Sequence, residues 1–454
     1  MIKSHDFEIT SDINAYIGEQ IDCTCGDVHH APIAAAVVEK NAVEKIPDVL
    51  SGLNCKKPLV VSDINTEIAG GKAVKDVLKR NNIKYKEFVY PESHLIADPE
   101  ALGRLLINTG SETDIIVAVG SGTLNDICKF IAFKTGKKMM IAATAASMDG
   151  FLTNVSILTI NDLKNTKPSM MPDAMLADVG IVAASPLDML AAGVGDMLGK
   201  PVSLLDWKIA NLIKGDKYCG FIDRIVDLSY REILKDAHKL RDRDESAVAN
   251  ALNGLILLGF GMAYSGTSQP GSGAEHQLSH FWEMTFAKRG MPSVYHGAKV
   301  GIGTGICLHI WELLKDIKVD FKAAKEKARS FNYDKWRHQI ERVYGDSCED
   351  VFELEEKSHK NSPETVIKNI ELLKANYDKI LNWAASLPNP NDVSEILKSM
   401  DAPYSPGQIG VDKQLFADTI YYAKDMRNRY SVLQMLFDLD LQEYIVQKLL
   451  KIYY

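Results

Sequence analysis

The stretch Asp114-Ile-Ile-Val-Ala-Val119-Gly120-Ser-Gly122-Thr-Leu-Asn125-Asp126 decides the fold of this chain. Asp114 to Val119 is a continuous apolar run bounded by charge and glycine, as expected of a strand buried on both faces. The chain then turns at once into a helical pattern, Leu124 to Phe133. Glycines at such a turn let the backbone approach a diphosphate, and the new helix offers free N–H groups. The third glycine of the usual dinucleotide fingerprint is missing and the loop does not follow the first strand, so neighbouring segments must carry the argument.

They repeat the same alternation. Upstream, residues 1–57 hold a few short strands and the stretch Ala31 to Val43, followed by a loop at Pro47. Leu59 to Asp63 reads as a buried strand ending in a carboxylate, Glu67 to Asn82 as a helix, Tyr85 to Tyr90 as a strand and Pro99 to Ile107 as a helix. Downstream, Lys138 to Ala143 is the next strand. A β segment at Val155 to Ile160 and a strand at Ala174 to Val182 follow, with Asn165-Thr-Lys-Pro between them. Strands apolar on both faces that alternate with helices imply a mostly parallel sheet covered on both sides. Asp63 stands where a ribose hydroxyl is bound in such sheets, and its charge would repel the extra phosphate of NADP, which makes NAD(H) the first expectation and NADP(H) the second. The competing reading of Asp63 is a helix cap. Thr144-Ala-Ala-Ser147-Met-Asp149-Gly150 is small and polar directly after a strand end, where open sheets bind ligands.

From Leu187 the pattern is helical nearly to the end, so the expected organisation is α/β: a Rossmann-like domain over 1–186 and an all-helical domain over 187–454. Helices are expected at about 203–214, 220–239, 245–264, 273–287, 294–316 and 323–331. Charge-rich, solvent-facing helices follow over 332–386, a break at Pro388-Asn-Pro390, and packed helices over Asp412 to Met426 and Val432 to Leu450. Three of the eleven histidines fall in one window: His276 and His280, stacked on one helix face, and His296 beyond a turn with Gly290 and Pro292. Neutral imidazole is a favoured ligand of divalent transition metals. The spacing departs from His-Glu-x-x-His, because Glu275 precedes His276 and Gln277 follows it, so a hydrolytic zinc site is disfavoured and a carboxylate from elsewhere is sought. Asp196, placed among glycines and apolar residues in Gly193-Val-Gly195-Asp196, fits, since a carboxylate there is costly unless a positive group meets it. Arg427 and Arg429 read as surface salt-bridge residues or as phosphate contacts.

The chain of 454 residues, 46% hydrophobic and 25% charged with a net charge of −8, has a globular composition and no general invitation to nucleic acid or an anionic membrane surface. Seven cysteines without regular pairing, and no apolar leader behind Met1, point to a reducing cytoplasmic setting. The most apolar run, Ala249 to Met262, is too short for a span and contains Asn253 and three glycines. Cys23-Thr-Cys25-Gly-Asp-Val-His29-His30 has metal-binding residue types on one short segment with no second ligand pair, so it reads as two buried thiols beside a surface turn.

Taken in order, Asp63-Ile-Asn-Thr66, Gly120 to Asp126, Thr144 to Gly150, Gly195-Asp196, Glu275-His276 with His280, His296-Gly297 and Arg427 to Tyr430 resemble the bacterial glycerol-1-phosphate dehydrogenase family. That family lies within the metal-dependent, iron-type group of alcohol dehydrogenases, glycerol dehydrogenases and 3-dehydroquinate synthases. The Thr144 to Gly150 segment favours its phosphoglycerol branch. The resemblance implies that Asp196, His276 and His296 hold one divalent metal, zinc or nickel. It implies that Asp149, Asp196 and His280 contact substrate, and that Asp63, Gly122, Thr123, Leu124, Asn125, Asp126, Thr144, Ala145, Ala146, Ser147 and Thr153 line the dinucleotide. The active site would lie in a cleft between the two domains. The implied reaction is NAD(P)H-dependent, reversible reduction of dihydroxyacetone phosphate to sn-glycerol 1-phosphate by a homodimer that takes neither nucleic acid nor membrane as a partner. His280 would relay a proton or merely orient its neighbours. Lys200, Lys299 and Arg289 are the cations considered for the phosphate. The alternatives are a polyol or alcohol dehydrogenase on the same scaffold, a 3-dehydroquinate synthase, and a non-catalytic relative.

Overall fold

A computed structural model of the protein describes residues 1–160 and 163–454. The chain forms two compact units, Met1–Met197 with Cys219–Ser268 and Ser399–Ala402, and Leu198–Tyr218 with Gln269–Lys398 and Pro403–Tyr454.

The first unit is built on a six-stranded sheet in the spatial order Ala35–Glu39, Ala174–Asp178, Lys138–Ala143, Ile115–Gly120, Pro58–Asp63, Lys86–Tyr90. Every neighbouring pair is parallel. The apolar run read from sequence sits at its centre, and Ile115 to Val119 are fully buried. Leu50, Val60, Val74, Val77, Leu78, Val117, Val119, Met140 and Leu176 pack into one core cluster. The chain runs from Pro58–Asp63 outward to Lys86–Tyr90 and then back to Ile115–Gly120 on the other side of its starting strand. Open sheets bind ligands beyond the carboxyl ends of the strands at such a reversal, which here falls between Asp63 and Gly120.

Three expectations for this unit are corrected. Pro47 lies in the first turn of the helix Ile46–Gly52 and not in a loop; its missing N–H costs nothing at that position. The strand at Ala174 ends at Asp178 instead of Val182, because the Asp178 side chain accepts from Gly180 N and Ile181 N and starts the helix Val179–Ala183. Asn165 to Pro168 is not a connection but part of the strand Leu163–Pro168, antiparallel to Val155–Ile160. The helix expected at about 245–264 spans Glu245–Ser265. Glu245–Ser265 is long and apolar enough to cross a membrane by composition, but 72% of its most apolar window is buried inside the protein, as in a core helix.

The second unit is helical. It contains Lys200–Lys214, Ala274–Lys288, His296–Lys315, Phe321–Arg329, Tyr333–Tyr344, Cys348–Ser358, Pro363–Ala384, Lys413–Tyr422, Val432–Asp438 and Gln442–Tyr453. The region 332–386 is not a set of solvent-facing helices. Each is two-sided and buries one stripe, including Trp336, Ile340, Tyr344, Phe352, Val366, Ile370, Leu373 and Ile380. One of its charged residues also reaches inward: Lys360 is buried 3.6 Å from Asp425, which the buried Lys424 of the segment Ala423–Met426 meets at 2.8 Å.

Candidate active site

In the first unit, the loops after the adjacent strands Ile115–Gly120 and Lys138–Ala143 are knitted together at the carboxyl edge of the sheet. Thr144 N donates to Gly120 O at 3.0 Å, and the hydroxyls of Ser121 and Ser147 meet at 2.6 Å. The helix Gly122–Thr135 begins at Ser121 without a side-chain cap. Gly122 and Thr123 thus sit at a helix N-terminus facing a loop of small residues, an arrangement suited to a phosphate.

The other dinucleotide candidates divide. The Leu124 side chain is buried in the core. Asn125 is buried, with Nδ2 donating to Gly150 O at 3.2 Å and Oδ1 without a hydrogen-bond partner among the described residues. Asp126 turns to Lys129, 3.3 Å away, and burial pushes its carboxyl upward against the pull of that lysine. Thr153 Oγ1 lies 3.1 Å from the carbonyls of Gly150 and Val155 and accepts from Lys129 Nζ at 3.0 Å. Lys129, not singled out in the sequence, also donates to Gly150 O and Val155 O, so one buried ammonium holds the shape of the 149–155 loop. Asp63 is a helix cap: its Oδ1 accepts from Asn65 N and Thr66 N, and Thr66 Oγ1 accepts from Asp63 N in return. The cap and ribose readings are compatible, because both caps use one oxygen and fix the direction of the other.

Asp196 is fully buried on the helix Leu187–Leu198, and Asp149 N donates to its Oδ2 at 3.2 Å. That helix lies directly on the Thr144–Ser147 loop. A Cβ at Gly193 would stand 1.9 Å from Ala146 O, so only glycine permits the approach.

In the second unit, His276, His280 and His296 come together, with ring centroids 5.2–6.1 Å apart. His276 and His280 project from Ala274–Lys288, and His296 opens His296–Lys315. Each ring is held through Nδ1 by a carboxylate. Glu275 Oε1 lies 2.7 Å from His276, Glu283 Oε1 lies 3.0 Å from His296, and Glu283 Oε2 lies 3.0 Å from His280. A carboxylate oxygen can only accept, so each Nδ1 carries the proton and each Nε2 presents a lone pair. Burial opposes charge on Glu283, yet Lys299, His296 and His280 together hold its carboxyl well below the usual range. Burial drives His280 down to about 3 against Glu283, so this ring is neutral near pH 7.

Two further groups, of which Asp206 was missed in the sequence, set the entrance of the histidine helix. Asp206 Oδ2 accepts from Ala274 N at 2.7 Å and its Oδ1 from Val432 N at 2.8 Å. Lys200, considered above for phosphate, donates to Gly271 O at 2.8 Å. Of the other cations, Lys299 pairs with Glu283 at 3.3 Å and Arg289 faces Asp412 at 3.6 Å. Arg427 and Arg429 are half-buried and not surface residues. Arg429 donates to Ser272 O, while Arg427 feels Glu283 and in turn depresses His280.

Comparison with known proteins places the chain in a family. Residues 37–186 match the family described as iron-containing alcohol dehydrogenase. A "Glycerol-1-phosphate dehydrogenase [NAD(P)+]" of Geobacillus stearothermophilus is 29% identical over 427 residues, covering 92% of this chain and 96% of that protein. A protein of the same name from Bacillus subtilis (strain 168) is 32% identical over 268 residues, covering 58% of this chain and 68% of that protein. Among solved structures, a probable glycerol dehydrogenase from Sinorhizobium meliloti 1021 aligns with a TM-score of 0.60 at 16% identity, over 91% of this chain and 96% of that one.

Proposed function

Because the chain belongs to the glycerol-1-phosphate dehydrogenase family of the iron-containing alcohol dehydrogenases, we propose that it interconverts dihydroxyacetone phosphate and sn-glycerol 1-phosphate with NAD(P)(H). Reduction is the cellular direction in this reading, and a cytoplasmic homodimer is the working form.

The observation that carries the proposal is the pair of carboxylate-held imidazoles. His276 on Glu275 and His296 on Glu283 both offer Nε2, and buried carboxylates behind the rings raise their basicity as ligands. Joined by Asp196, as the family resemblance implies, they would make a two-imidazole, one-carboxylate donor set for one divalent ion, zinc or nickel, with a position left for substrate. When bound, the ion supplies Lewis acidity to the carbonyl and the nicotinamide supplies hydride.

The chain's own residues do the rest. Asp149 and Asp196 meet the substrate from the loop and helix that Gly193 brings together. His280 is neutral and its Nδ1 proton is committed to Glu283, so its Nε2 accepts a hydrogen bond from a substrate hydroxyl. This favours positioning over donation by a charged imidazolium. The dinucleotide lies along Asp63, the start of the helix Gly122–Thr135 and the Thr144–Ser147 loop, with Thr153 shaping the adjoining 149–155 loop. The Asp63 carboxylate prefers the unphosphorylated ribose of NAD.

The test is NADH oxidation by metal-loaded protein with dihydroxyacetone phosphate against dihydroxyacetone. Strong preference for the phosphorylated ketone is expected. Equal rates would replace this reading with a plain polyol dehydrogenase.

A further inference from the structure

The segment Cys23-Thr-Cys25-Gly-Asp-Val-His29 carries no part of the proposed reaction. In the first unit it forms the end of a hairpin, Gln20–Asp22 antiparallel to Val28–His30. Cys23 N donates to Asp27 O and Gly26 N to Cys23 O, both at 2.9 Å, and Gly26 adopts φ +92°. This tight turn points both thiols to one side. The missing fourth group comes from 190 residues downstream, which the sequence reading did not anticipate. Cys219, the residue that starts the helix Gly220–Lys235, lies with Sγ 3.5 Å from Cys23 Sγ and 3.5 Å from His29 Nε2, and Cys25 Sγ lies 3.4 Å from the same nitrogen.

We infer that Cys23, Cys25, His29 and Cys219 form a structural metal site for one zinc ion, independent of the proposed catalytic centre. Three thiolates and one imidazole are a standard closed donor set for tetrahedral zinc, which softer sulfur ligands select over hard cations. Zinc–sulfur bonds of about 2.3 Å and zinc–nitrogen bonds of about 2.0–2.1 Å at tetrahedral angles place sulfur atoms about 3.8 Å apart and sulfur and nitrogen about 3.6 Å apart. The observed separations already approach this, and all four donor atoms lie within 4.8 Å of one another.

The surroundings fit as well. His29 is buried, and its Nδ1 lies 3.1 Å from Tyr264 O. A carbonyl accepts, so Nδ1 carries the proton and Nε2 faces the sulfurs, as in metal-ligating histidines. The ring is stacked between Phe221 and Tyr264, at 6.0 Å and 5.5 Å. Cys219 stands at the N-terminus of a 16-residue helix, where a thiolate is favoured. With four protein ligands the ion has no open position, so its role is to staple the N-terminal hairpin to that helix.

Cobalt substitution of the full-length protein tests the site. The proposed catalytic donors contain no sulfur, so a thiolate-to-cobalt charge-transfer band reports this cluster alone. The band is expected in the wild type, in His276→Ala and in Asp196→Asn, and is expected to be lost or strongly reduced in Cys219→Ser and His29→Ala. X-ray absorption of the zinc-loaded wild type, which needs no variant to fold, should show a sulfur shell at about 2.3 Å. A wild type without the band or the sulfur shell, or a band unchanged in Cys219→Ser, overturns the assignment. So does a Cys23–Cys219 disulfide found by peptide mapping of protein alkylated on lysis. Retention of the band in catalytically dead His276→Ala separates failure of this site from failure of the proposed activity.

Discussion

Glu275 Oε1 stands 2.7 Å from His276 Nδ1, and both side chains are buried. The glutamate also accepts from Gly273 N at 2.7 Å, so one carboxylate fixes the start of the helix and the tautomer of its first histidine. Glu275→Gln keeps the shape but can present an amide donor to Nδ1, removing the charge that makes Nε2 basic. Metal affinity is expected to fall about 10–100-fold, the usual cost of losing such a partner. Metal titration followed by competition with a chelator measures it; unchanged affinity would mean His276 is not a ligand.

Arg427 is the cation whose charge reaches both His280 and Glu283. If it meets the substrate phosphate, Arg427→Ala should raise KM for dihydroxyacetone phosphate by one to two orders of magnitude, the worth of about 1.5–3 kcal/mol for a charged hydrogen bond. Turnover of dihydroxyacetone should change much less. A parallel loss on both ketones would assign Arg427 to holding the histidine cluster.

Gly193→Ala introduces a methyl group 1.9 Å from the Ala146 carbonyl oxygen, and that neighbour is backbone with no rotamer to escape into. The helix carrying Asp196 must then lift from the Thr144–Ser147 loop. A stability loss on the order of 1–3 kcal/mol is expected from overpacking. NADH affinity should fall at the same time, because the displaced loop is the one proposed to line the dinucleotide. Thermal melts and fluorescence titration check the two parts; a variant with wild-type melting would show that the contact yields easily.

The alternation of apolar strands and helices was legible because central strands of a parallel sheet have no polar face, so Ile115 to Val119 announce themselves. The histidine cluster was legible because His276, His280 and His296 share a short window. What escaped were the partners. Glu283 looks like any charged helix residue until its fold places it between two imidazoles and Lys299. Asp206 meets Ala274 across 68 residues of sequence, and Cys219 meets His29 across 190. No local period encodes such pairings. The reading of 332–386 failed for a related reason: a high charge density conceals one buried stripe per helix, and lysine carries enough methylene to be drawn inside.

Lys360 shows what that burial implies for pH. It is buried beside Asp425 at 3.6 Å, and burial, helped by Lys424 and opposed by Asp425 and Glu355, lowers its ammonium to about 8. In the unfolded chain the same group titrates near 10.4. Between about pH 8 and 10.4 the unfolded chain therefore binds more protons than the folded one, and stability from this residue rises with pH across that window. Below pH 8 both states are protonated and the full cost of the buried charge remains. Lys360→Met removes the titration, so the stability difference between wild type and variant should shift in favour of the wild type as pH rises from 7.5 to 10, by on the order of 3 kcal/mol at most. Denaturant melts of both proteins across that range measure the shift. A constant difference would show that Asp425 and the Arg427 carbonyl, 3.2 Å from Lys360 Nζ, fully offset the desolvation.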